Sequence, residues 1–231
     1  MKYQNFFGYL TLSCILILAP VKLGLARTNN GFQLAQNSDD FFQECFRNSK
    51  NQNQADMTRC AQLDYQQADE TLNQVYQQLR SQLPNASKQL LKDAQLAWIS
   101  FRDKEWVFNL STMARVSAGG SMYPGIKASF YSDSTKKRTV ELQSYVRGQA
   151  LPPSSGNYQA VDRRLNQVYQ QVRSSVAEPQ KLQSAQIAWI EFRDASCQFE
   201  SDRFSTSDSA CLTRLAEQRI ERLSRLLPRN R

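Results

Sequence analysis

A ten-residue segment occurs twice in this chain, and the duplication constrains the fold more than any other feature. Residues 94–103 read AQLAWISFRD and residues 185–194 read AQIAWIEFRD, so eight of the ten positions are identical. A second string, LNQVYQQ, precedes these segments at 72–78 and 165–171. Two strings in the same order at nearly the same spacing indicate a duplicated structural module.

The apolar residues of both copies recur at intervals of three or four positions. In the first copy one such series is Leu72, Val75, Tyr76, Leu79 and Leu83. The doubled segment follows the same rule, and this spacing is typical of amphipathic helices rather than strands. We therefore predict an all-α protein of two tandem antiparallel three-helix modules stapled by disulfides.

Turn signals interrupt the first copy between residues 115 and 133, where Gly119-Gly120-Ser121 and Pro124-Gly125 occur. The third helix of this copy is accordingly predicted from Ser134 to Tyr145. The whole chain then divides into a signal peptide, a flexible segment, a module, a linker and a second module, at 1–26, 27–38, 39–147, 148–157 and 158–228.

The N-terminal segment has the features of a secretory signal peptide. Lys2 precedes an apolar run from Leu10 to Val21, and Gly24-Leu25-Ala26 supplies the small residues of a cleavage site. The run is short for a membrane span, so we expect cleavage after Ala26 and no stable membrane span afterwards. An uncleaved anchor is the alternative. Cleavage removes Lys2, Lys22 and no acid, which lowers the formal net charge from +8 to +6.

Four cysteines lie outside the signal segment: Cys45, Cys60, Cys197 and Cys211. An even number of cysteines in an exported chain indicates two disulfides. A shift of 91 positions places Trp106 opposite Cys197, and matching Arg138 with Arg219 in the closing helices places Phe130 opposite Cys211. The first copy therefore lacks both of these cysteines, as expected if they are bonded to each other. This leaves Cys45–Cys60 as the other pair.

Most catalytic chemistries lack the residues they need. The chain has no histidine, which excludes Ser-His triads and His-ligated metal sites. Bonded cysteines offer no thiolate, and no glycine motif follows a predicted strand. We predict no cofactor, no metal and no nucleic-acid partner. A carboxylate pair acting on wall glycans remains the enzymatic alternative, although no spacing identifies such a pair.

Two groups of residues are candidates for a functional site. The candidate recognition loop, which occurs in one copy only, consists of Gly119, Gly120, Ser121, Met122 and Tyr123. Loops on a rigid scaffold often carry recognition, although this one could be an ordinary surface loop. The motif residues are interpreted as structural, with sugar stacking or a polar ligand site as the alternatives. They are Trp98, Arg102, Asp103, Trp189, Arg193 and Asp194.

Basic residues recur on the last predicted helix at Arg222, Arg225 and Arg229. They could bind phosphate or an anionic lipid, but a solvated face is the simpler interpretation. Glu221 and Arg225 are four positions apart and can pair along the helix.

The motifs together resemble one family of bacterial envelope proteins, the lysozyme inhibitor LprI-like N-terminal domain. In the first copy the resemblance rests on Met57-x-x-Cys60-Ala61, Asp69-x-x-Leu72-Asn73-x-x-Tyr76, Gln95-x-Ala97-Trp98-x-x-Phe101-Arg102-Asp103 and Gly119-Gly120-Ser121. In the second copy it rests on Arg193-Asp194, Cys197, Cys211 and Arg219. The chain departs from the family pattern in one respect, because the four cysteines of one domain are divided between two copies.

The resemblance implies a small, disulfide-stapled helical domain that is exported or lipid-anchored, in a family with one founding member associated with inhibiting lysozyme. We therefore interpret the chain as an exported, periplasmic or secreted, non-enzymatic binding protein of the lysozyme-inhibitor kind. Its expected partner is a lysozyme-type protein or an anionic envelope polymer. A purely structural envelope protein and the glycan enzyme are the alternatives.

Overall fold

Seven helices make up the described part of the chain. The structure, a computed structural model, describes residues 38–113, 119–154 and 156–227. The helices are α1 Ser38–Arg47, α2 Gln54–Ser81, α3 Asn85–Thr112, α4 Tyr123–Val146, α5 Tyr158–Ser175, α6 Pro179–Phe204 and α7 Asp208–Ser224. No strand occurs in these ranges, and the predicted all-α class is confirmed. The predicted signal peptide and residues 27–37 lie outside the described residues.

Local sequence signals explain where several helices begin. The side-chain Oδ1 of Asn53 accepts from the backbone N–H of Ala55 and Asp56 at the start of α2. Asn157 caps α5 in the same way. Such caps satisfy N–H groups that have no partner within the helix.

The third helix of the first copy begins earlier than its turn signals predict. The prediction placed its start at Ser134, whereas α4 begins at Tyr123 with Pro124 in its first turn. Proline is accepted there because the first N–H groups of a helix have no internal partner. Gly125 permits close packing, since a Cβ at that position would lie 3.0 Å from the Thr58 hydroxyl oxygen of α2.

The helices pair in a way that joins the two copies. α2 lies along α4, α5 lies along α7, and the two motif helices α3 and α6 lie along each other. α3 and α6 are antiparallel, because Ser87 near the start of α3 donates a hydrogen bond to Asp202 near the end of α6. The central pair of the molecule therefore takes one helix from each copy.

One hydrophobic core serves both copies. Its buried members from the first copy include Leu72, Leu91 and Leu142, and those from the second include Leu165 and Leu182. The apolar faces that the repeat predicts are thus shared by both copies, so each copy depends on the other for burial.

Both disulfides join the cysteines that the repeat alignment pairs. Cys45 of α1 is bonded to Cys60 of α2, and Cys197 of α6 is bonded to Cys211 of α7. The bonds span 15 and 14 positions, and each closes a loop worth roughly 3 kcal/mol in the chain-entropy account.

Among the described helices, none has the length and apolar character that crossing a bilayer requires.

Candidate functional site

The doubled motif forms the contact between α3 and α6. Trp98 and Trp189 are buried, and the rings of Phe101 and Phe192 stack with centroids 5.7 Å apart and planes 6° from parallel. Stacked aromatic pairs of this kind stabilise a core beyond their buried area. The motif's aromatic residues thus lie at the seam between the copies.

The Arg-Asp ends of the two motifs make the same local contacts. Arg102 pairs with Asp103 at 3.0 Å and lies over the Trp98 ring at 5.0 Å. Arg193 pairs with Asp194 at 2.7 Å and lies over Trp189 at 5.2 Å. Each guanidinium is thus in contact with neighbours along its own helix, and Arg102 also lies 4.5 Å from the Tyr131 ring of α4.

The closing helices α4 and α7 each place one arginine in the core. Arg138 of α4 is 2% exposed and lies 5.5 Å from the Phe192 ring of the other copy. Its Nε donates to Gln95 Oε1 at 3.1 Å, and its Nη1 donates to Glu141 Oε2 at 2.9 Å. The arginine therefore connects its own copy to the other one.

Arg219 of α7 repeats this geometry with the copies exchanged. It is 2% exposed and lies 5.4 Å from the Phe101 ring of the first copy. Its Nε donates to Gln186 Oε1 at 2.9 Å, and its Nη1 donates to Glu105 Oε2 at 2.9 Å. We call these two residues the bridging arginines.

The carboxylates of the bridging arginines come from different places. Glu141 lies on α4, three positions beyond Arg138 itself. Glu105 lies on α3, in the opposite copy from Arg219, and is 3% exposed. Glu105 also accepts from Arg222, which occupies the α7 position equivalent to Glu141. Arg222 is 41% exposed but pairs with the buried Glu105, so it does not lie, as the spacing predicted, on a purely solvated face.

Glu105 is held in its ionised form. Burial alone would raise the pKa of this carboxyl, but the charges of Arg219 and Arg222 outweigh burial and lower the pKa below its ordinary value. Burial lowers the pKa of Arg219, and Glu105 opposes that effect. An arginine titrates so far above neutral pH that it remains charged.

A cavity of about 370 Å³ lies between α3, α4, α6 and α7. We call it the central cavity. Its aromatic walls are Trp98, Phe101, Phe130, Trp189 and Phe192. Its cationic residues are Arg102, Lys137, Arg138, Arg219, Arg222 and Arg225. Its carboxylates are Glu105, Glu141 and Glu221, so positive charge is in excess.

An aromatic contact occupies the place of the disulfide in the first copy. Trp106 is 3% exposed, and its ring lies 5.4 Å from Phe130, opposite the positions of Cys197 and Cys211. This agrees with the alignment, which placed these two residues against the two missing cysteines. Trp106 also lies 5.7 Å from Tyr123.

The candidate recognition loop is attached to that aromatic contact. Gly119 has φ +104°, a backbone conformation that favours glycine. Met122 is 48% exposed, whereas Tyr123 is the first residue of α4 and packs on Trp106. Residues 114–118, which precede the loop, lie outside the described part of the chain.

The bridging arginines are site residues that were not predicted from the sequence. They already provided the register that aligned the two closing helices, so their recurrence was a usable signal. Glu105 carried no such signal, because its equivalent in the second copy is Ser196. Of the basic row on α7, Arg225 pairs with Glu221 as predicted, and Arg229 lies outside the described residues.

Within the described residues, no cluster of acidic and cysteine side chains could hold a metal ion. The central cavity is a basic, aromatic-walled site built by both copies.

Comparison with known proteins agrees with the duplicated architecture. A sequence profile for the family described as lysozyme inhibitor LprI matches residues 45–142 and 154–223. The uncharacterized protein R02472 of Rhizobium meliloti (strain 1021) is 34% identical over 104 residues, which cover 39% of this chain and 71% of that protein. A crystal structure of an uncharacterized protein from Burkholderia thailandensis has the same fold, with a TM-score of 0.61 and 18% identity over 82% of this chain and 95% of that one.

Proposed function

Because this chain belongs to the lysozyme inhibitor LprI family, we propose that it is an exported, non-enzymatic binding protein of the bacterial envelope that inhibits a lysozyme-type enzyme. The observation that carries the proposal is the extent of the family match, which includes both copies and the segments that hold the doubled motif.

Two further features support export. The chain has two disulfides, and such bonds persist in oxidising compartments outside the cytosol. The first 26 residues also have the sequence pattern of a signal peptide. Export would place the protein where wall-degrading enzymes act.

We assign the contact with the enzyme to the candidate recognition loop, Gly119 to Tyr123. Met122 is exposed to solvent, and the next residue, Tyr123, packs against the buried Trp106. The exposed side chain is therefore anchored to the core at its neighbouring residue. The loop carries no charged residue, so it adds no charge repulsion of its own toward a partner of either sign.

The alternative of a glycan-cleaving enzyme receives less support from the site. A general acid needs a raised pKa to hold a proton near neutral pH. Glu105 is the most buried carboxylate of the central cavity, yet its pKa is lowered and both of its oxygens accept from arginines. This environment stabilises a permanent negative charge and not a proton donor.

The proposal is tested by titrating the purified protein into lysozymes of several structural types while following the lysis of bacterial cell walls. Inhibition requires a saturable loss of lysis at a defined stoichiometry for at least one type. If lysis is unaffected and the protein alone releases wall glycan, the enzymatic alternative replaces the proposal. Inertness in both assays would leave a structural role.

A matched pair of variants tests the assignment of the loop. Met122→Ser changes an exposed apolar residue of the loop, whereas Ile187→Ser changes one on α6 that is 52% exposed. We expect Met122→Ser to weaken inhibition and Ile187→Ser to leave it unchanged. Equal inhibition by both variants would remove the loop from the contact surface without affecting the family assignment.

A further inference from the structure

The central cavity has more positive charge than its own carboxylates neutralise. Glu105 is shared between Arg219 and Arg222, and the partner of Arg102 is Asp103, which does not line the cavity. Lys137 lines the cavity, is exposed, and makes no ion pair within the described part of the chain. A negatively charged ligand would reduce the repulsion among these groups.

Both bridging arginines retain an unused donor. Arg138 and Arg219 each employ Nε and Nη1 in hydrogen bonds, and Nη2 of each is buried without an acceptor among the described atoms. Buried charged donors are normally satisfied, and each exception requires an explanation. Since both residues line the same cavity, one ligand with several acceptor oxygens could satisfy them.

The cavity walls restrict the kind of ligand. Guanidinium groups bind phosphate and carboxylate oxygens through paired, charge-assisted hydrogen bonds. The stacked rings of Phe101 and Phe192, with Trp98 and Trp189 beside them, form an apolar wall next to these donors. A volume of about 370 Å³ lies at the small end of the range for small-molecule sites.

We propose that the central cavity binds a small organic phosphate, with its phosphate group on the bridging arginines and Lys137 and its organic part against the aromatic wall. A phosphate monoester carries up to two negative charges and three acceptor oxygens, which matches the excess of cations and the pair of unused donors. The site combines both copies, so it exists only in the duplicated chain. This proposal is independent of lysozyme inhibition.

The test is isothermal titration calorimetry of the purified protein with phenyl phosphate, inorganic phosphate and sodium chloride at matched ionic strength. We expect saturable binding of phenyl phosphate, weaker binding of inorganic phosphate, and no saturable signal for chloride. No saturable binding of phenyl phosphate, or equal signals from all three, would overturn the proposal. Lysozyme is absent from the assay, so the outcome does not depend on the proposed function.

Three variants test whether phenyl phosphate binds in the central cavity. Lys137→Ala should weaken phenyl phosphate binding several-fold, whereas Lys104→Ala, an exposed lysine of α3 outside the cavity lining, should not. Glu141→Gln should tighten binding, because it removes a carboxylate that competes for Arg138. Circular dichroism of each variant checks the fold. If Lys137→Ala and Lys104→Ala bind equally well, or if Glu141→Gln weakens binding in a folded protein, the phosphate does not occupy this cavity.

Discussion

The two bridging arginines occupy equivalent positions in the repeat, but their surroundings differ in one respect. Arg138 receives its carboxylate from Glu141 on the same helix, whereas Arg219 receives it from Glu105 on the opposite copy. The α7 equivalent of Glu141 is a second cation, Arg222. The buried arginine and its glutamine partner are common to both copies, whereas the carboxylate of Arg219 lies across the interface.

The difference makes the second copy dependent on the first. The ion pair of Arg138 lies within one helix and is partly exposed at Glu141, whose side chain is 24% exposed. The ion pair of Arg219 spans the two copies and is buried at both ends. Separating the copies would therefore break the ion pair of Arg219 but not that of Arg138.

The largest expected effect follows from removing the charge of Glu105. Glu105→Gln keeps the side-chain shape but leaves Arg219 and Arg222 without a carboxylate, and removing one partner of a buried pair costs about 3–5 kcal/mol. Urea unfolding of the purified variant at neutral pH measures the loss.

The matched substitution in the first copy is Glu141→Gln. The Glu141 side chain is 24% exposed, whereas that of Arg138 is buried. Water can partly replace the carboxylate from the exposed side, so we expect a smaller loss of unfolding free energy, about 1.5–3 kcal/mol. Equal losses for the two variants would show that the two networks are energetically equivalent despite their different geometry.

The second comparison concerns the disulfide and the aromatic contact that replaces it. Trp106→Ala removes a buried side chain that touches Phe130 and Tyr123. Because a cavity remains, we expect the unfolding free energy to fall by an amount toward the lower end of ~3–5 kcal/mol. Replacing Cys197 and Cys211 by alanine should cost about 3 kcal/mol. Denaturant unfolding of both variants tests whether the disulfide and the aromatic contact contribute similarly to stability. A negligible loss for Trp106→Ala would mean that the aromatic contact does not replace the disulfide.

Much of the fold could be predicted from the sequence because the same helical pattern occurs in both copies. Helical spacing identified the apolar faces, and the missing cysteines of the first copy identified the Cys197–Cys211 bond. The pairing of α3 with α6 could not be predicted, since an apolar face does not specify which helix covers it. The network around Glu105 was also missed, because Glu105 and Ser196 differ between the copies and only the folded chain brings Glu105 to Arg219.

The lowered pKa of Glu105 predicts a smaller effect that depends on pH. Its folded-state pKa lies below that of the unfolded chain, so the unfolded state binds more protons and stability rises with pH. This contribution is complete above the ordinary glutamic acid pKa of about 4.3 and is lost as pH falls through the folded pKa. The difference in unfolding free energy between the natural protein and Glu105→Gln should therefore narrow on acidification.

Glu221→Gln provides the control for this pH dependence, because Glu221 is largely exposed and pairs only with Arg225 among the described residues. The difference in unfolding free energy between Glu221→Gln and the natural protein should be small at neutral pH and should change little on acidification. If the difference in unfolding free energy between the natural protein and Glu105→Gln stays constant down to acidic pH, the assignment of the lowered pKa to Glu105 is contradicted.

The smallest expected effect is at Ser196, the position equivalent to Glu105. Its hydroxyl is buried and has no hydrogen-bond partner among the described atoms, so Ser196→Ala removes an unsatisfied polar group and should leave stability within about 0.5 kcal/mol or raise it. Ser132→Ala is the matched control, because that buried hydroxyl donates to Asp64 and its loss should cost about 1.5–3 kcal/mol. Comparable losses in thermal unfolding would mean that the Ser196 hydroxyl makes a hydrogen bond in the folded protein.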